Sequence, residues 1–512
     1  MNSSCTPATR FLLALAAYFL LHVLVRIAFS DSMELDEAEQ YLFSQWLHWG
    51  YSSQPPLYTW LQKAVFSVLG DSIIALALMK NLCLFVLYTL CFHLARRVLQ
   101  DENLAMRAAC SLLLMPPIAW EAARDLTHTV LVSCWVVLSI LMLSELLKRR
   151  TWLAYAGLGC VLGLGVLSKY NYTLHILALT LALMTLPDGR RLLLDGRILL
   201  TLLSGLALYA PHGLWILENQ AVVSSGLAKL GQPGQVRAHD LSPLWKLGTA
   251  IAAYVAPVLL IVRGFAGKVR QGEDKPVPAP IAQLLGRYFL ILLLALLLAV
   301  WFVDAGRIRT RWLFPFMVLF PVWLFTRVPA NRMTPLRSRM YLGLATGVAA
   351  CILILMLIRI PGAAWTQKPT DLNLPFSDLA TDIRQAGFTH GVIVAANAHI
   401  GGNLHHQFGP DTLILTPQMN MPLPDSRKNQ PILAIWEVDK TPDMPEHLHH
   451  WLRQQTGQDT ALLKPAYLQQ PYRYSNSVMA KLGYLILGNG LSGSQDNRTN
   501  KTPVVPAGNA EL

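Results

Sequence analysis

The chain has 512 residues, of which 53% are apolar and only 14% are charged. Soluble globular proteins carry roughly 25% charged residues, so this composition excludes an ordinary cytosolic protein. Lysine and arginine number 42 against 30 aspartate and glutamate residues, which gives a formal net charge of +12. The positive residues fall in short clusters between apolar runs of about 20 residues, the length that a helix needs to cross a bilayer. The pattern predicts a polytopic membrane protein, not a nucleic-acid-binding protein.

Eleven apolar segments are predicted to span the membrane. The first, Phe11 to Ser30, follows Arg10 and has no small-residue cleavage site after it, which predicts a retained signal anchor. The others lie near residues 72–95, 106–120, 128–147, 152–168, 171–186, 198–217, 243–262, 287–303, 312–326 and 340–359. The seven cysteines show no CxxC pair and no Cys/His metal spacing. Neither a disulfide framework nor a zinc site is therefore predicted from cysteine.

The loops between the spans predict the orientation of the chain. Eighteen lysine and arginine residues lie in one alternate set of loops and eight lie in the other. Because positively charged loops stay in the cytoplasm, the N-terminus is predicted to be cytoplasmic and the residues after 360 extracytoplasmic. Residues 361–488 are predicted to form a small α/β domain. Its strands are expected near 392–396, 412–416, 432–436 and 484–487, and its helices near 376–387 and 444–455. The Gly-, Ser- and Asn-rich tail, residues 489–512, is predicted to be disordered.

The first loop, residues 31–71, is rich in acidic and aromatic residues. Five of its carboxylates lie within nine positions, at Asp31, Glu34, Asp36, Glu37 and Glu39. Tryptophan and tyrosine at this density beside a span favour amphipathic helices in the membrane interface, interrupted here by Pro55-Pro56. A carboxylate held at the membrane surface can act as general base toward an acceptor hydroxyl. A solvated acidic loop accounts for the same composition equally well.

Several short motifs carry a family resemblance. They are Leu35-Asp36-Glu37-Ala38-Glu39-Gln40-Tyr41, Gly50-Tyr51, Gln54-Pro55-Pro56-Leu57-Tyr58-Thr59-Trp60-Leu61, Arg124-Asp125, Ser168-Lys169-Tyr170-Asn171, Pro211-His212-Gly213-Leu214-Trp215 and Arg311-Trp312-Leu313-Phe314-Pro315. In this order, over residues 1 to about 330, the set resembles the bacterial relatives of the protein mannosyltransferases. That family includes the aminoarabinose transferase acting on lipid A and the galacturonosyl transferases of lipopolysaccharide core.

The resemblance implies a fold and a reaction. Residues 1–360 are expected to adopt the all-α C-type glycosyltransferase fold, with a catalytic loop at 31–71. The reaction is transfer of a sugar from a polyprenyl-phosphate carrier to an acceptor on the periplasmic face of the inner membrane, with inversion. Asp36 is expected to take the acceptor proton. Glu37, the second residue of the catalytic pair, is expected to orient Asp36 or a basic partner, and a solvated carboxylate is the alternative interpretation. Basic residues are expected to hold the donor phosphate, namely Lys169, Arg124, Arg307, Arg309 and Arg311. Residues expected to line the substrate are Gln54, Tyr58, Asp125 and Tyr170.

Other charged and histidine residues receive structural interpretations. Arg26 is expected to be a snorkelling or structural charge near the end of the first span. Asp125 is expected to form an ion pair with Arg124 in addition to any contact with substrate. His405-His406, with His399, has the chemistry of a metal site, although a surface loop is the favoured interpretation. No motif requires a cofactor, and the acidic cluster can hold a divalent cation because such ions prefer carboxylate oxygens.

The substrates stay open at this stage. The aminoarabinose-transferring branch has a lysine where Gln54 stands here and an arginine where this chain has Glu39 or Gln40, so the transferred sugar is not specified. The acceptor can be a glycolipid, a glycan or a protein. A protein O-glycosyltransferase is the alternative within the family. A transporter of lipid-linked sugar is the alternative outside it, although the sequence shows no repeated halves and no matching helix breaks.

Overall fold

The computed structural model describes residues 6–220, 222, 224, 242–266, 280–302, 309–419, 421–438, 443–460, 463–475 and 477–488. Helices dominate from Pro7 to Arg359, and a five-stranded sheet with flanking helices follows. The predicted disordered tail and the site candidate Arg307 lie outside the described residues.

Seven described helices are long and apolar enough to cross a bilayer. They are Pro7–Ala28, Ile73–Leu99, Thr127–Leu146, Ile198–Glu218, Ser242–Ala266, Pro280–Phe302 and Pro335–Arg359. Each has 20 to 27 residues, which at 1.5 Å per residue is about 30 Å or more. These helices coincide with seven of the eleven predicted spans.

The other four predicted spans are also helical, but they are short or interrupted. Trp152–Ser168 and Tyr172–Met184 have 17 and 13 residues. The segment near 106–120 is divided into an α-helix, Glu102–Cys110, a 3₁₀ turn, Ser111–Leu114, and a π-helical turn, Pro117–Glu121. The segment near 312–326 forms two short helices, Phe314–Met317 and Phe320–Phe325. Proline lacks the amide donor that a helix interior needs, and Pro116, Pro315 and Pro321 lie at these breaks.

The first loop contains two helices, which we call the acidic helix (Leu35–Phe43) and the aromatic helix (Leu57–Leu69). Pro56 immediately precedes the aromatic helix, as the Pro55-Pro56 interruption predicts. Both helices have a polar and an apolar side. Their apolar side chains pack against the membrane helices and against the C-terminal region of the chain.

The C-terminal α/β region is built on a mixed sheet with strand order β2-β1-β3-β5-β4. The strands are β1, Val392–Ala395; β2, Leu413–Leu415; β3, Ile432–Glu437; β4, Ala466–Pro471; and β5, Met479–Leu487. β1 pairs in parallel with β2 and β3, whereas β5 pairs antiparallel with β3 and β4. Helices Phe376–Gln385, Ala398–Phe408 and Glu446–Thr456 pack beside it.

Two elements of this region are absent from the sequence prediction. β4 is a largely exposed edge strand that contains Gln469 and Gln470, so it lacks an apolar signal. Helix Ala398–Phe408 contains Gly401 and Gly402, which have low helix propensity. Packing requires glycine at position 402, because a Cβ on Gly402 would collide with the backbone carbonyl of Ala38 in the acidic helix. The helix and the acidic helix therefore pack backbone to backbone.

Polar contacts also join the C-terminal region to the first loop. The side-chain hydroxyls of Ser30 and Ser32 donate to the carbonyls of Leu372 and Leu374, each at 2.5 Å. The Met33 amide donates to the Asn403 side chain at 2.8 Å. In addition, Leu42, Phe43 and Tyr51 from the first loop lie in the same hydrophobic core as β1 and β3. The C-terminal region therefore fixes the position of the acidic helix.

Candidate active site

The acidic helix presents its two predicted catalytic carboxylates to different partners. Successive residues on a helix are rotated by about 100°, so Asp36 and Glu37 face different directions. Asp36 faces the start of membrane helix Thr127–Leu146, and Glu37 faces Arg26 of the first membrane helix. The adjacent acidic residues therefore have separate environments.

Asp36 lies at the N-terminus of the membrane helix Thr127–Leu146. Its Oδ2 accepts hydrogen bonds from the Thr127 amide at 3.1 Å and from the Thr127 hydroxyl at 3.4 Å. The partial positive charge at a helix N-terminus stabilises a carboxylate there. Oδ1 of Asp36 accepts no hydrogen bond from the described residues, and the side chain is partly exposed. One carboxylate oxygen is thus held by Thr127, and the other has no hydrogen-bond partner among the described residues.

The backbone beside Asp36 has an uncommon conformation. Leu126, immediately before Thr127, has φ of 74° and lies in the left-handed region. For a residue with a Cβ this conformation costs of order 1–3 kcal/mol, and such residues concentrate at functional sites. The turn at Leu126 begins the helix whose first amide binds Asp36, and it follows Asp125 directly.

Glu37 forms a buried ion pair with Arg26. Nη2 of Arg26 lies 2.6 Å from Oε2 of Glu37, and Nε of Arg26 lies 3.0 Å from Oε1. The Arg26 guanidinium also donates to the carbonyls of Ser30 and Ser32. Burial opposes ionisation of Glu37, but the Arg26 cation and the nearby Lys80 outweigh it and hold the pKa of Glu37 below its usual value. Glu37 is therefore engaged in structure, and Arg26 is its basic partner.

Asp125 lies close to Asp36 and has no ion-pair partner among the described residues. Oδ1 of Asp125 is buried and accepts no hydrogen bond within the part of the chain that the structure describes. Burial and the neighbouring Asp36 carboxylate raise the pKa of Asp125 well above its usual value, which favours its protonated form. The predicted ion pair between Asp125 and Arg124 is not observed, because Arg124 lies instead 3.8 Å from Glu121.

Lys80 is a site residue that the sequence interpretation missed. It is 3% exposed, within membrane helix Ile73–Leu99, and its Nζ donates to the carbonyls of Ala123 at 3.1 Å and Arg124 at 3.0 Å. The ammonium thereby holds the turn that leads into Asp125. A lone lysine inside an apolar span is a functional suspect by itself, and that signal was available in the sequence.

Lys169 follows helix Trp152–Ser168 and interacts electrostatically with Asp36 and Asp125. Its Nζ donates to the Thr129 hydroxyl at 2.6 Å, two residues along the helix whose first amide binds Asp36. Burial lowers the pKa of Lys169 to about 8, and the Asp36 carboxylate opposes this effect. Arg311 is close enough to repel the Lys169 cation. Lys169 therefore interacts electrostatically with both the Asp36 carboxylate and the Arg311 guanidinium.

The remaining basic candidates are distributed differently. Arg309 is exposed and Arg311 is half-buried, and both precede helix Phe314–Met317. Arg124 lines a separate small cavity together with Arg26 and Arg359. The structure therefore groups Arg311 with Lys169, whereas the Arg124 side chain lies in other surroundings.

The predicted substrate-lining aromatic residues have unequal exposure. Tyr58 is 1% exposed and packs against His128 with ring centroids 5.4 Å apart, so its ring has no face open to a sugar. Tyr170 is half-buried, and its hydroxyl lies 3.0 Å from Nε2 of His212. Gln54 is also half-buried, and its backbone N–H donates to the Ser52 hydroxyl. Of the two tyrosines, only Tyr170 has surface available for contact.

A buried polar network ties the first loop to the membrane helices near the site. Gln40, on the acidic helix, accepts a hydrogen bond from Thr59 at 2.7 Å, and its amide lies 3.1 Å from Nε2 of His128. Nδ1 of His128 lies 3.3 Å from the carbonyl of Ser168, next to Lys169. The network therefore connects the helix carrying Asp36 to the turn carrying Lys169.

The histidines of the C-terminal region belong to a helix, not to a surface loop. His399 and His405 are 8% and 5% exposed on helix Ala398–Phe408, and His399 contacts the carbonyl of Met33. Among the described residues, no group of three or more His, Cys, Asp or Glu side chains is arranged to hold a metal ion.

The architecture defines the class of protein. The apo structure of ArnT from Cupriavidus metallidurans matches this fold with a TM-score of 0.58, covering 93% of this chain and 98% of that chain at 13% identity. ArnT bound to undecaprenyl phosphate matches with a TM-score of 0.56 at 12% identity. The chain therefore has the C-type glycosyltransferase fold.

Sequence relatives define the family. The model of the dolichyl-phosphate-mannose-protein mannosyltransferases matches residues 53–215. The lipopolysaccharide core galacturonosyltransferase RgtA of Rhizobium johnstonii is 32% identical over 477 residues, covering 90% of this chain and 94% of RgtA. RgtB of the same organism is 31% identical over 469 residues, covering 90% and 93%. The chain belongs to this family of membrane glycosyltransferases and is a multi-pass membrane enzyme that transfers a sugar.

Proposed function

We propose that this glycosyltransferase moves a sugar from a polyprenyl-phosphate carrier to a lipopolysaccharide-type glycolipid at the periplasmic face of the bacterial inner membrane. The observation that carries the proposal is the position of Asp36 at the start of helix Thr127–Leu146. One oxygen of Asp36 is held there by Thr127, and the Lys169 ammonium donates to Thr129 of the same helix. A base beside a cationic site is what displacement of a phosphate leaving group requires.

In the proposed reaction, the open oxygen of Asp36 takes the proton from the acceptor hydroxyl. The acceptor oxygen attacks the anomeric carbon of the donor sugar while the bond from that carbon to the phosphate oxygen breaks. Attack opposite the leaving group inverts the anomeric centre. The Thr127 amide and hydroxyl hold the other oxygen of Asp36, which keeps the base in one orientation during proton transfer.

The departing polyprenyl phosphate gains negative charge, and cations must stabilise it. Lys169 interacts with both Asp36 and Arg311, and we propose that Lys169 and Arg311 bind this phosphate. Arg309 and Arg307 are proposed to contribute from the same segment of the chain. Because these cations supply the positive charge, the proposed reaction needs no divalent ion. A chelator such as EDTA should therefore leave the initial rate unchanged, and loss of the rate that added Mg²⁺ restores would contradict this part of the proposal.

The acceptor and sugar are proposed from the relatives. RgtA and RgtB are named as lipopolysaccharide core galacturonosyltransferases, and a shorter match, over 190 residues, is a lipid A galacturonosyltransferase. We therefore propose galacturonate as the transferred sugar and a lipopolysaccharide glycolipid as the acceptor. Within the described residues, no contact or cavity favours a protein acceptor over a glycan.

The test is reconstitution of the full chain in liposomes with polyprenyl-phosphate galacturonate and a lipopolysaccharide core acceptor. The expected result is release of free polyprenyl phosphate together with a mass increase of one galacturonosyl residue on the acceptor. Movement of intact donor across the bilayer without release of polyprenyl phosphate would refute the proposal. Replacing the donor by a polyprenyl-phosphate pentose provides the matched control for sugar identity.

The orientation is tested separately. Alkaline phosphatase folds to its active form only outside the cytoplasm, whereas green fluorescent protein fluoresces only inside. A fusion of alkaline phosphatase after residue 488 should be active, and the corresponding fluorescent fusion should be dark. The reverse pattern would place the acidic helix and the C-terminal region in the cytoplasm.

A further inference from the structure

A second cavity lies between the first loop and the C-terminal α/β region, on a different side of the acidic helix from Asp36. Its volume is about 360 Å³, which falls in the range of ligand-binding cavities. The first loop contributes Ser44, Gln45, Trp46, Lys63, Phe66, Ser67 and Asp71, and the C-terminal region contributes His405, Pro410, Leu413 and Arg427. No residue of the proposed reaction centre lines it, so it needs a separate explanation.

The cavity carries two cations that lack a carboxylate partner among the described residues. Lys63 donates to the carbonyls of Ser44 at 2.8 Å and Gln45 at 3.4 Å, at the C-terminal end of the acidic helix. An ammonium group has three donors, so one is left. Arg427 donates to the Gln430 side chain at 3.0 Å, which uses one of its five N–H groups. One carboxylate, Asp71, also lines the cavity, and its side chain is exposed. Two cations against one carboxylate leave the lining with a positive formal charge.

A buried histidine supplies an unused polar atom in the same lining. His405 is 5% exposed, and its Nδ1 is buried without a hydrogen-bond partner in the described part of the chain. Burial lowers the pKa of His405 to about 4, and the nearby His406 contributes to this effect. The imidazole is therefore neutral at pH 7. It adds a neutral polar side chain to the cavity lining.

The walls are rigid and include an aromatic surface. The Gln45 side chain donates to the Ile414 carbonyl at 3.2 Å and so ties the first loop to β2. Trp46 is half-buried in the lining. An indole ring presents a broad apolar face to the C–H groups of a pyranose, while its surroundings stay polar. Cations, a neutral imidazole and an indole together have the chemistry of a site for a charged sugar.

We propose that this cavity binds an anionic sugar residue of the acceptor glycan, that is, a pyranose bearing a carboxylate or a phosphate. This inference rests on the proposed function, because it takes the acceptor to be an envelope glycolipid. Asp36 and Ser44 are eight residues apart along the acidic helix and its cap, which corresponds to about 12 Å. An oligosaccharide spans such a distance, so one acceptor can occupy the cavity with one residue and present a hydroxyl to Asp36 with another.

The inference is tested by saturation-transfer NMR on the full chain in detergent, without donor. The probes are galacturonate, galactose 6-phosphate and neutral galactose. The two acidic sugars should show a saturation-transfer signal, and neutral galactose should not. The acidic probe with the stronger signal identifies the anionic group that the cavity prefers. Arg427→Gln removes one charge-assisted hydrogen bond and should weaken binding of that probe about tenfold. The matched control is Lys428→Gln, which changes the neighbouring exposed cation that pairs with Asp425 and should leave binding unchanged.

Three outcomes would each overturn the inference. They are equal signals from galactose and the acidic sugars, absence of any signal, and unchanged binding in Arg427→Gln. Turnover provides a second measurement. Arg427→Gln should raise the KM for the lipopolysaccharide acceptor and leave kcat unchanged, because the cavity binds the acceptor away from the reacting atoms. Since the binding experiment contains no donor, its outcome is independent of the proposed reaction. Arg427-dependent binding without sugar transfer would refute the proposed function alone.

Discussion

Replacement of Asp36 by asparagine tests the reaction centre most directly. Asparagine has the same shape, and its side-chain carbonyl can accept the hydrogen bond that the Thr127 amide donates to Asp36. The variant loses only the negative charge and the ability to accept a proton. The rate of sugar transfer should therefore fall while the position of the acidic helix is retained.

The expected magnitudes separate the loss of catalytic rate from the loss of folding stability. General-base catalysis contributes typically ~10²–10⁴-fold, which at 1.36 kcal/mol per tenfold corresponds to about 2.7–5.4 kcal/mol in the activation free energy. The loss of a favourable charge at a helix N-terminus costs about 0.3–1 kcal/mol of folding free energy. The loss of rate should therefore far exceed the loss of stability.

The assay is release of polyprenyl phosphate by full-length protein in liposomes, at saturating donor and acceptor. Thermal unfolding in detergent monitors the fold in parallel. Asp188→Asn makes the same chemical change at an exposed carboxylate in the first turn of helix Pro187–Leu193, so it should cause a similarly small loss of stability and leave the rate unchanged. If Asp36→Asn retains more than about a tenth of the rate with its unfolding transition intact, Asp36 is not the base.

Three further predictions concern the residues around Asp36. The wild-type rate should fall as the pH rises above about 8, where Lys169 loses its charge. The Lys169→Arg variant should stay active to higher pH because its guanidinium stays protonated, and identical pH profiles of the two proteins would exclude Lys169 as the titrating group. Glu37→Gln should destabilise the protein by about 3–5 kcal/mol in thermal unfolding, because it leaves Arg26 buried and unpaired, and no destabilisation would refute a structural role for the pair. Gly402→Ala should lower the free energy of unfolding by about 1–3 kcal/mol through overpacking and should lower kcat. Gly488→Ala, whose added methyl group meets open space, should behave as wild type, and equal behaviour of the two variants would contradict the close packing at Gly402.

Much of the fold follows from local chemistry. Long apolar runs must form helices in a bilayer because each buried backbone amide needs a partner, and all eleven predicted segments are helical. β1 and β3 are short apolar runs, and the sequence identifies both. β4 escapes prediction because its stability comes from hydrogen bonds to β5, not from apolar side chains. Helix Ala398–Phe408 escapes prediction because the glycines that weaken it locally are the ones that permit its packing.

The site is predictable only in part. The Asp36-Glu37 pair is visible as a motif, but the motif cannot show that Glu37 pairs with Arg26 while Asp36 binds Thr127. Tyr58 matches the motif equally well, and yet it is buried against His128. A motif records which residue types occur near one another in the chain. Burial and partner depend on segments that lie far away in sequence.

The sequence by itself determined the class of this protein. The spacing of apolar runs, the excess of basic residues and the acidic first loop are local properties, and each has a direct physical meaning in a bilayer. The tertiary structure alone decided which charges act together. It brings Lys169 to Asp36, Lys80 to the turn before Asp125, and His405 to a cavity shared with the first loop. Electrostatic and hydrogen-bond energies depend on distances of a few ångströms, and only the folded chain sets those distances.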